Sequence, residues 1–202
     1  MAFSATEGRI LDAAKACCER WGFAKVTIDD IAGESGVSRA TLYRLFPGGK
    51  DVLFDALRVR ELEEFFAVLA SQVEATDNLE DLLVASVVAA TRELQADEHL
   101  ALMMASEPGE ALSQLTVAGL PRIIRMASVT LTPLVASYVP PATATRLIDV
   151  LARLTISYFL APSADVDLSD ELSARAFLHP VIAVLAPAQT VLSPTPSLQP
   201  ST

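Results

Sequence analysis

Thr27-Ile28-Asp29-Asp30-Ile31-Ala32, followed by Gly36-Val37-Ser38-Arg39-Ala40-Thr41-Leu42-Tyr43-Arg44-Leu45-Phe46, is the stretch that decides the fold. Ile28 and Ile31 form a short apolar face, and Ala32 is small where a second helix would cross closely. Gly36 stands where the chain bends sharply, and a positive φ is cheap only for glycine. Val37 then fills the turn and Leu42 packs beneath the next helix. Thr27 with Asp30 reads as a capping box, with acid at the positive end of the helix. The spacing predicts a helix over 28–34, a break at Gly36, and a second helix from Ser38 or Arg39 to Phe46. Two helices crossing steeply in this way form either an ordinary helical hairpin or a DNA-reading helix-turn-helix.

The outer face of the second helix bears on that choice. Ser38, Arg39, Thr41, Tyr43 and Arg44, with the small Ala40 between them, are side chains that donate to phosphates and base edges. A purely structural helix of this length has no need of a tyrosine and two arginines on its outside. Thr27 opens a helix whose N-terminus can hold a phosphate. Lys50 follows the turn Pro47-Gly48-Gly49, placed to reach a nucleic-acid backbone.

Working outward, every periodic segment has a helical period, and no alternating run supports a strand. The fold class is all-α. A first helix spans 5–21, with Ile10, Ala14, Cys17 and Trp21 on one stripe, and ends at Gly22. A long helix runs from Lys50 to Ala75. Asp77 with Glu80 marks the start of another to Ala96, and a short one covers 99–106. Pro108 starts the next segment, which Pro121 and Pro133 kink or split. Helices follow at 142–160, after Pro140-Pro141, and from Asp167/Ser169 to Ala186, with Pro180 as a kink. The predicted units are a three-helix head over 1–49, a helical domain over 50–187 and a disordered Pro/Ser/Thr tail over 188–202.

Charge divides the same way. The 202 residues hold 15 Lys+Arg and 25 Asp+Glu, a net charge of −10 that argues against nucleic-acid binding by the chain as a whole. Residues 1–60, however, carry 9 Lys+Arg and 8 Asp+Glu, a net of +1, and the remainder carries −11. The acidity belongs to the second unit, which leaves the head free to approach DNA. Adjacent Cys17 and Cys18 diverge on a helix and suit reduced thiols in the cytoplasm. No secretory leader is expected at the N-terminus. The uncharged stretches 126–145 and 176–202 are broken by prolines and hydroxyls, so no membrane span is expected. No metal-ligand spacing and no GxSxG, HExxH, P-loop or GxGxxG motif is present, so no metal, cofactor or enzymatic activity is expected.

The residues quoted above, with Ile10-Leu11-Asp12-Ala13-Ala14 and Gly22-Phe23 before them, resemble the TetR family of transcriptional regulators over about residues 7–57. The chain departs from that family's pattern at Ser35, at Leu45 and in the length of the turn before Lys50. The resemblance implies a homodimer that places one third helix per subunit in the major groove of double-stranded operator DNA. It implies that Tyr43 and Lys50 contact phosphates, that Thr27 anchors the second helix to the backbone, and that Arg39, Thr41 and Arg44 approach bases. The last two helices of each subunit would form an intersubunit bundle, and the central half would hold a small-molecule pocket.

The second unit is apolar enough to serve those roles. Leu147, Val150, Leu151, Leu154 and Tyr158 form one stripe, and Leu172, Ala176, Phe177 and Val184 another; both are the expected dimer interface. Phe65, Phe66, Leu69, Met103, Met104, Leu115, Ile123, Met126 and Phe159, with Glu107 and Arg122, are the expected pocket lining, suited to a hydrophobic effector. His99, Gln114, Tyr138 and Arg153 are further candidate polar contacts. The expected function is a cytoplasmic repressor, nucleoid-associated when bound, that a small hydrophobic molecule releases. Alternatives are a DNA-binding regulator with no such effector or one governed by a protein partner, and, more remotely, a helical-bundle enzyme.

Overall fold

The structure, a computed structural model, describes residues 3–73 and 76–186. The expected tail at 188–202 lies outside the described residues. Among the described residues the chain forms helices and no strand: α1 (Ala5–Trp21), α2 (Ile28–Ser35), α3 (Arg39–Leu45), α4 (Lys50–Val73), α5 (Leu79–Ala96), α6 (Glu98–Ser106), α7 (Pro108–Leu115), α8 (Leu120–Val135), α9 (Pro141–Leu160) and α10 (Glu171–Leu185). None of these helices is long and apolar enough to cross a membrane.

Two hydrophobic cores organise them. The first gathers Ile10, Leu11, Ala14 and Cys17 of α1, Ile31 of α2, Leu42 of α3, and Leu53, Phe54 and Leu57 of α4. The second begins at Phe66 and Leu69 of α4 and extends through α5, α8, α9 and α10. The first turns of α4 therefore complete the head, and the break between cores falls inside that helix. α5 buries Leu82, Leu83, Val84, Val87 and Val88 around most of its circumference, as a helix covered on all sides must. It packs against α4, α8, α9 and α10.

Local chemistry sets most helix ends. Ser4 and Glu7 form a reciprocal capping box at α1. Asn78, not Asp77, caps α5, because its Oδ1 accepts from the N–H of Asp81 at 2.9 Å. Asp170, not Asp167 or Ser169, caps α10, accepting from Ser173 N–H at 2.9 Å. Asp167 is committed to the preceding turn, where its Oδ1 accepts from the backbone and hydroxyl of Ser169 at 2.8 and 2.7 Å. Pro121 enters the first turn of α8, where no amide donor is needed, and Pro133 lies within that helix close to its end. The corner before α8 is tight: a Cβ on Gly119 would overlap the Gln114 carbonyl.

Cys17 and Cys18 are free and buried. Burial, ahead of the surrounding charges, pushes the Cys18 thiol up to about 12. The nucleophilic thiolate is therefore scarce at neutral pH. In the folded protein Cys18 is expected to resist iodoacetamide at pH 8 and to react once denatured; mass spectrometry of the labelled chain checks this.

Candidate nucleic-acid interface and ligand cavity

The α2–turn–α3 unit is built as its residue types require. Thr27 caps α2: its Oγ1 accepts from Asp30 N–H at 3.3 Å while Asp30 Oδ2 accepts from Thr27 N–H at 2.9 Å. The hydroxyl and amide of Thr27 hold the Asp30 carboxyl below its ordinary value. A lowered carboxyl contributes stability above its unfolded value and loses it as pH falls through the folded one. The box thus stays ionised into acid that neutralises ordinary carboxyls. Gly36 takes the left-handed conformation, with φ 68° and ψ 20°, which a β-carbon would strain. Ser38 caps α3, accepting from Thr41 N–H at 3.2 Å. Leu42 and Phe46 are buried and fix the helix to the head.

That anchoring turns the other side of α3 outward. Ser38, Arg39, Ala40, Tyr43 and Arg44 are exposed, Thr41 is half-buried, and Thr27 is exposed at the start of α2. Thr41 Oγ1 lies 3.0 Å from Ser38 Oγ. Arg39 Nε pairs with Asp29 Oδ1 at 2.9 Å, but both side chains are about three-fifths exposed. Such a pair contributes little and is easily exchanged for another anion. Tyr43 is seated against the glycine turn, with its Cε1 3.2 Å from where a β-carbon of Gly49 would lie. Thr27, Ser38, Arg39, Ala40, Thr41, Tyr43 and Arg44 thus all belong to the α2–turn–α3 unit and its cap.

Lys50 is placed differently. Its ammonium donates inward to the Phe23 carbonyl at 2.7 Å. It lies 4.8 Å from the Phe23 ring centroid and 5.6 Å from that of Phe54. In this arrangement it ties the α1–α2 connection to the start of α4 instead of facing outward. Replacing Lys50 with alanine is expected to lower head stability by about 1–3 kcal/mol, from a charged hydrogen bond and cation–π contact. Chemical denaturation measures that loss.

A steeply packed pair of short helices, with a donor-rich outer face and an anchored inner one, defines a helix-turn-helix DNA-binding unit. Residues 10–57 match the family model for bacterial regulatory proteins, tetR family. This is a family of regulatory proteins, not of enzymes. An uncharacterized HTH-type transcriptional regulator of Mycobacterium bovis is 32% identical over 102 residues, 50% of this chain and 51% of that protein. One from Mycobacterium tuberculosis strain H37Rv aligns to the same extent, at 32%. The chain spans about half the length of the curated relatives it matches. Among solved structures, the TetR family repressor AlkX from Dietzia sp. strain DQ12-45-1b, implicated in biodegradation of n-alkanes, superposes with a TM-score of 0.67. It is 22% identical, with 91% of this chain and 96% of that one covered. The transcriptional repressor QsdR of R. erythropolis gives a TM-score of 0.60 at 16% identity, with 89% and 93% covered. These two likenesses are of fold.

Two adjoining cavities, an inner and an outer arm, share Leu62, Phe65, Leu94, Leu115 and Ile123 as lining. The inner arm, about 100 Å³, is lined by Phe65, Phe66, Leu115 and Ile123, together with Leu62, Leu94, Ala127, Ala152 and Ile156. Its one polar side chain, Thr155, donates its hydroxyl to the Leu151 carbonyl. The outer arm, about 180 Å³, adds Met103, Gln114 and Arg122, and also Arg58, Glu61 and Asp97. Six of the expected lining residues are therefore present: Phe65, Phe66, Met103, Leu115, Arg122 and Ile123.

The other expected lining residues sit elsewhere. Leu69 is in the core, and Met126 packs against that core. Met104 and Phe159 are half-buried away from the cavity. Glu107 reaches the head instead, its Oε1 accepting from Ala24 N–H at 3.3 Å. Of the further polar candidates, Tyr138 donates to the Thr76 carbonyl at 3.0 Å and Arg153 pairs with Asp149 at 3.1 Å. The His99 side chain lies outside the described residues.

The expected dimer surface divides as well. Leu147 and Leu151 are buried within the protomer's own core. Val150, Leu154, Tyr158 and Phe177 are half-buried, and Leu172, Ala176 and Val184 are exposed. Leu147 and Leu151 are therefore unavailable to a partner subunit in this arrangement. The remaining seven are at least partly accessible on α9 and α10, with Tyr158 and Phe177 rings 5.1 Å apart.

Proposed function

We propose that this protein is a transcriptional repressor that holds operator DNA as a homodimer and is released by a predominantly apolar small molecule. The observation that carries the reading is the outer face of α3. Arg39, Tyr43 and Arg44 project from a helix whose opposite side is locked by Leu42 and Phe46. Thr27, Ser38, Ala40 and Thr41 complete that surface. α3 enters the major groove, Tyr43 and the α2 N-terminus at Thr27 hold phosphates, and Arg39, Thr41 and Arg44 meet base edges. Lys50 supports the contact by fixing the head's geometry.

A second head is supplied by a second copy. Leu154, Tyr158, Leu172, Ala176, Phe177 and Val184 offer it an apolar face on α9 and α10, and pairing there forms a four-helix bundle. The cavity between head and body is the effector site, and its nearly wholly apolar inner arm selects an apolar molecule. Acting on DNA, the protein works in the cytoplasm.

The test is a mobility-shift titration with DNA flanking the gene, repeated at rising salt. Neutralising several phosphates makes affinity fall steeply with salt. A shift that weakens steeply supports the reading. No shift on any fragment at low salt overturns it.

A further inference from the structure

The outer arm of the cavity is walled on one side by the DNA-binding head itself. Cys18 from the end of α1, Phe23 from the connection to α2, and Phe54 from α4 all line it. The inner arm has no wall from α1, α2, α3 or their connections. An occupant of the inner arm alone would therefore leave the head untouched, whereas one reaching the outer arm would meet Phe23.

Phe23 is positioned to pass that contact on. Its ring packs edge-on against Phe54 with centroids 4.6 Å apart, and the Arg58 guanidinium lies 5.3 Å from its centroid. Its carbonyl accepts from Lys50 Nζ at 2.7 Å. The next amide, Ala24 N–H, donates to Glu107 Oε1 at 3.3 Å, from the corner between α6 and α7. The only backbone hydrogen bond within this short connection runs from Lys25 N–H to the Gly22 carbonyl at 3.2 Å. It ends at Thr27, the cap that sets the start of α2.

The other walls of the outer arm come from α4 to α8 and the connections between them. They are mostly helical, with Asp97 and Gly119 added from connections, and α4 is tied into the buried core of the head and that of the second unit. A chain-like molecule filling both arms meets the head's own connection at Phe23.

We infer that Phe23 is an effector-contacting residue belonging to the DNA-binding head, and that elongated apolar molecules spanning both arms signal by displacing it. This deepens the effector reading above and rests on it. Displacement of the Phe23 ring strains the carbonyl bond to Lys50 and the Ala24 bond to Glu107. The connection then shifts Thr27, and with it α2 and α3, without relay along α4. Shorter apolar molecules confined to the inner arm bind without releasing DNA.

Side chains can stand in for the occupant, so the test needs no known effector. Hydrogen exchange of segment 22–27 is followed by mass spectrometry in the full chain. Met103→Trp fills the outer arm and Ala152→Leu the inner one. Expected results are exchange about tenfold faster at 22–27 in Met103→Trp and no change there in Ala152→Leu. The acceleration should disappear relative to the matching background when Met103→Trp is combined with Phe23→Ala. Unchanged exchange in a natively folded Met103→Trp protein, or equal acceleration by Ala152→Leu, would overturn the inference. If Met103→Trp does not fold, Gln114→Phe fills the same arm and is read by the same criteria. Calorimetry with tetradecan-1-ol tests the effector reading separately: failure to bind counts against that reading, while the exchange result still decides the role of Phe23.

Discussion

Tyr43→Ala combined with Arg44→Ala is expected to reduce operator affinity by a hundredfold or more while leaving the melting temperature almost unchanged. Both side chains are exposed on α3, and neither contributes to the core that Leu42 and Phe46 anchor. Their removal therefore deletes contacts to DNA without opening a cavity. A phosphate or base contact is worth about 1–3 kcal/mol, and a dimer loses each contact twice. Arg44 makes no ion pair or hydrogen bond among the described residues, so its loss should not disturb the head. Mobility shifts and thermal denaturation on the same preparations check both halves of the expectation. Retained affinity in the double variant would remove α3 from the interface.

Ala176→Arg with Val184→Arg is expected to produce a folded monomer that binds operator about a hundredfold more weakly. Both positions are exposed in the protomer, so two guanidiniums there cost folding little. Across a two-fold axis they would be buried opposite one another, and unpaired buried charge is strongly unfavourable. Losing the partner abolishes the effective concentration that one bound head provides for the other. Gel filtration should move to the monomer position, and circular dichroism should remain helical. A variant that still elutes as a dimer would place the interface elsewhere.

The head was legible from sequence because its signals are local. A capping Thr27, a glycine that must take positive φ, and Ser38 before α3 each act within a few residues of their partners. The outward face of α3 follows once Leu42 and Phe46 are turned inward. Lys50 was less legible: its contact with Phe23 spans 27 residues in sequence, and nothing near Lys50 announces that partner.

The second unit was legible in helix number more than in contacts. α9 is apolar over a broad arc, and the row of Leu147 and Leu151 lies beside that of Val150, Leu154 and Tyr158. Periodicity shows a wide apolar face, but only the position of α5 decides which row enters the protomer's core. The cavity depends in the same way on how α6, α7 and α8 pack around the middle of α4 and the later part of α5. Leu62, Leu94 and Arg58 line it through that packing, not through any motif. Glu107 was expected in the pocket as a polar contact; the chain's turn at Pro108 carries its carboxylate to Ala24 instead.

The central claim is that two copies of α3 read one duplex. Hydroxyl-radical footprinting of the wild-type protein on DNA flanking its gene tests this most directly. The account predicts two protected half-sites related by approximate inverted symmetry, their centres separated by one helical turn, about 34–36 Å, or a multiple of it. Protection of a single half-site, or uniform protection without regard to sequence, would contradict it.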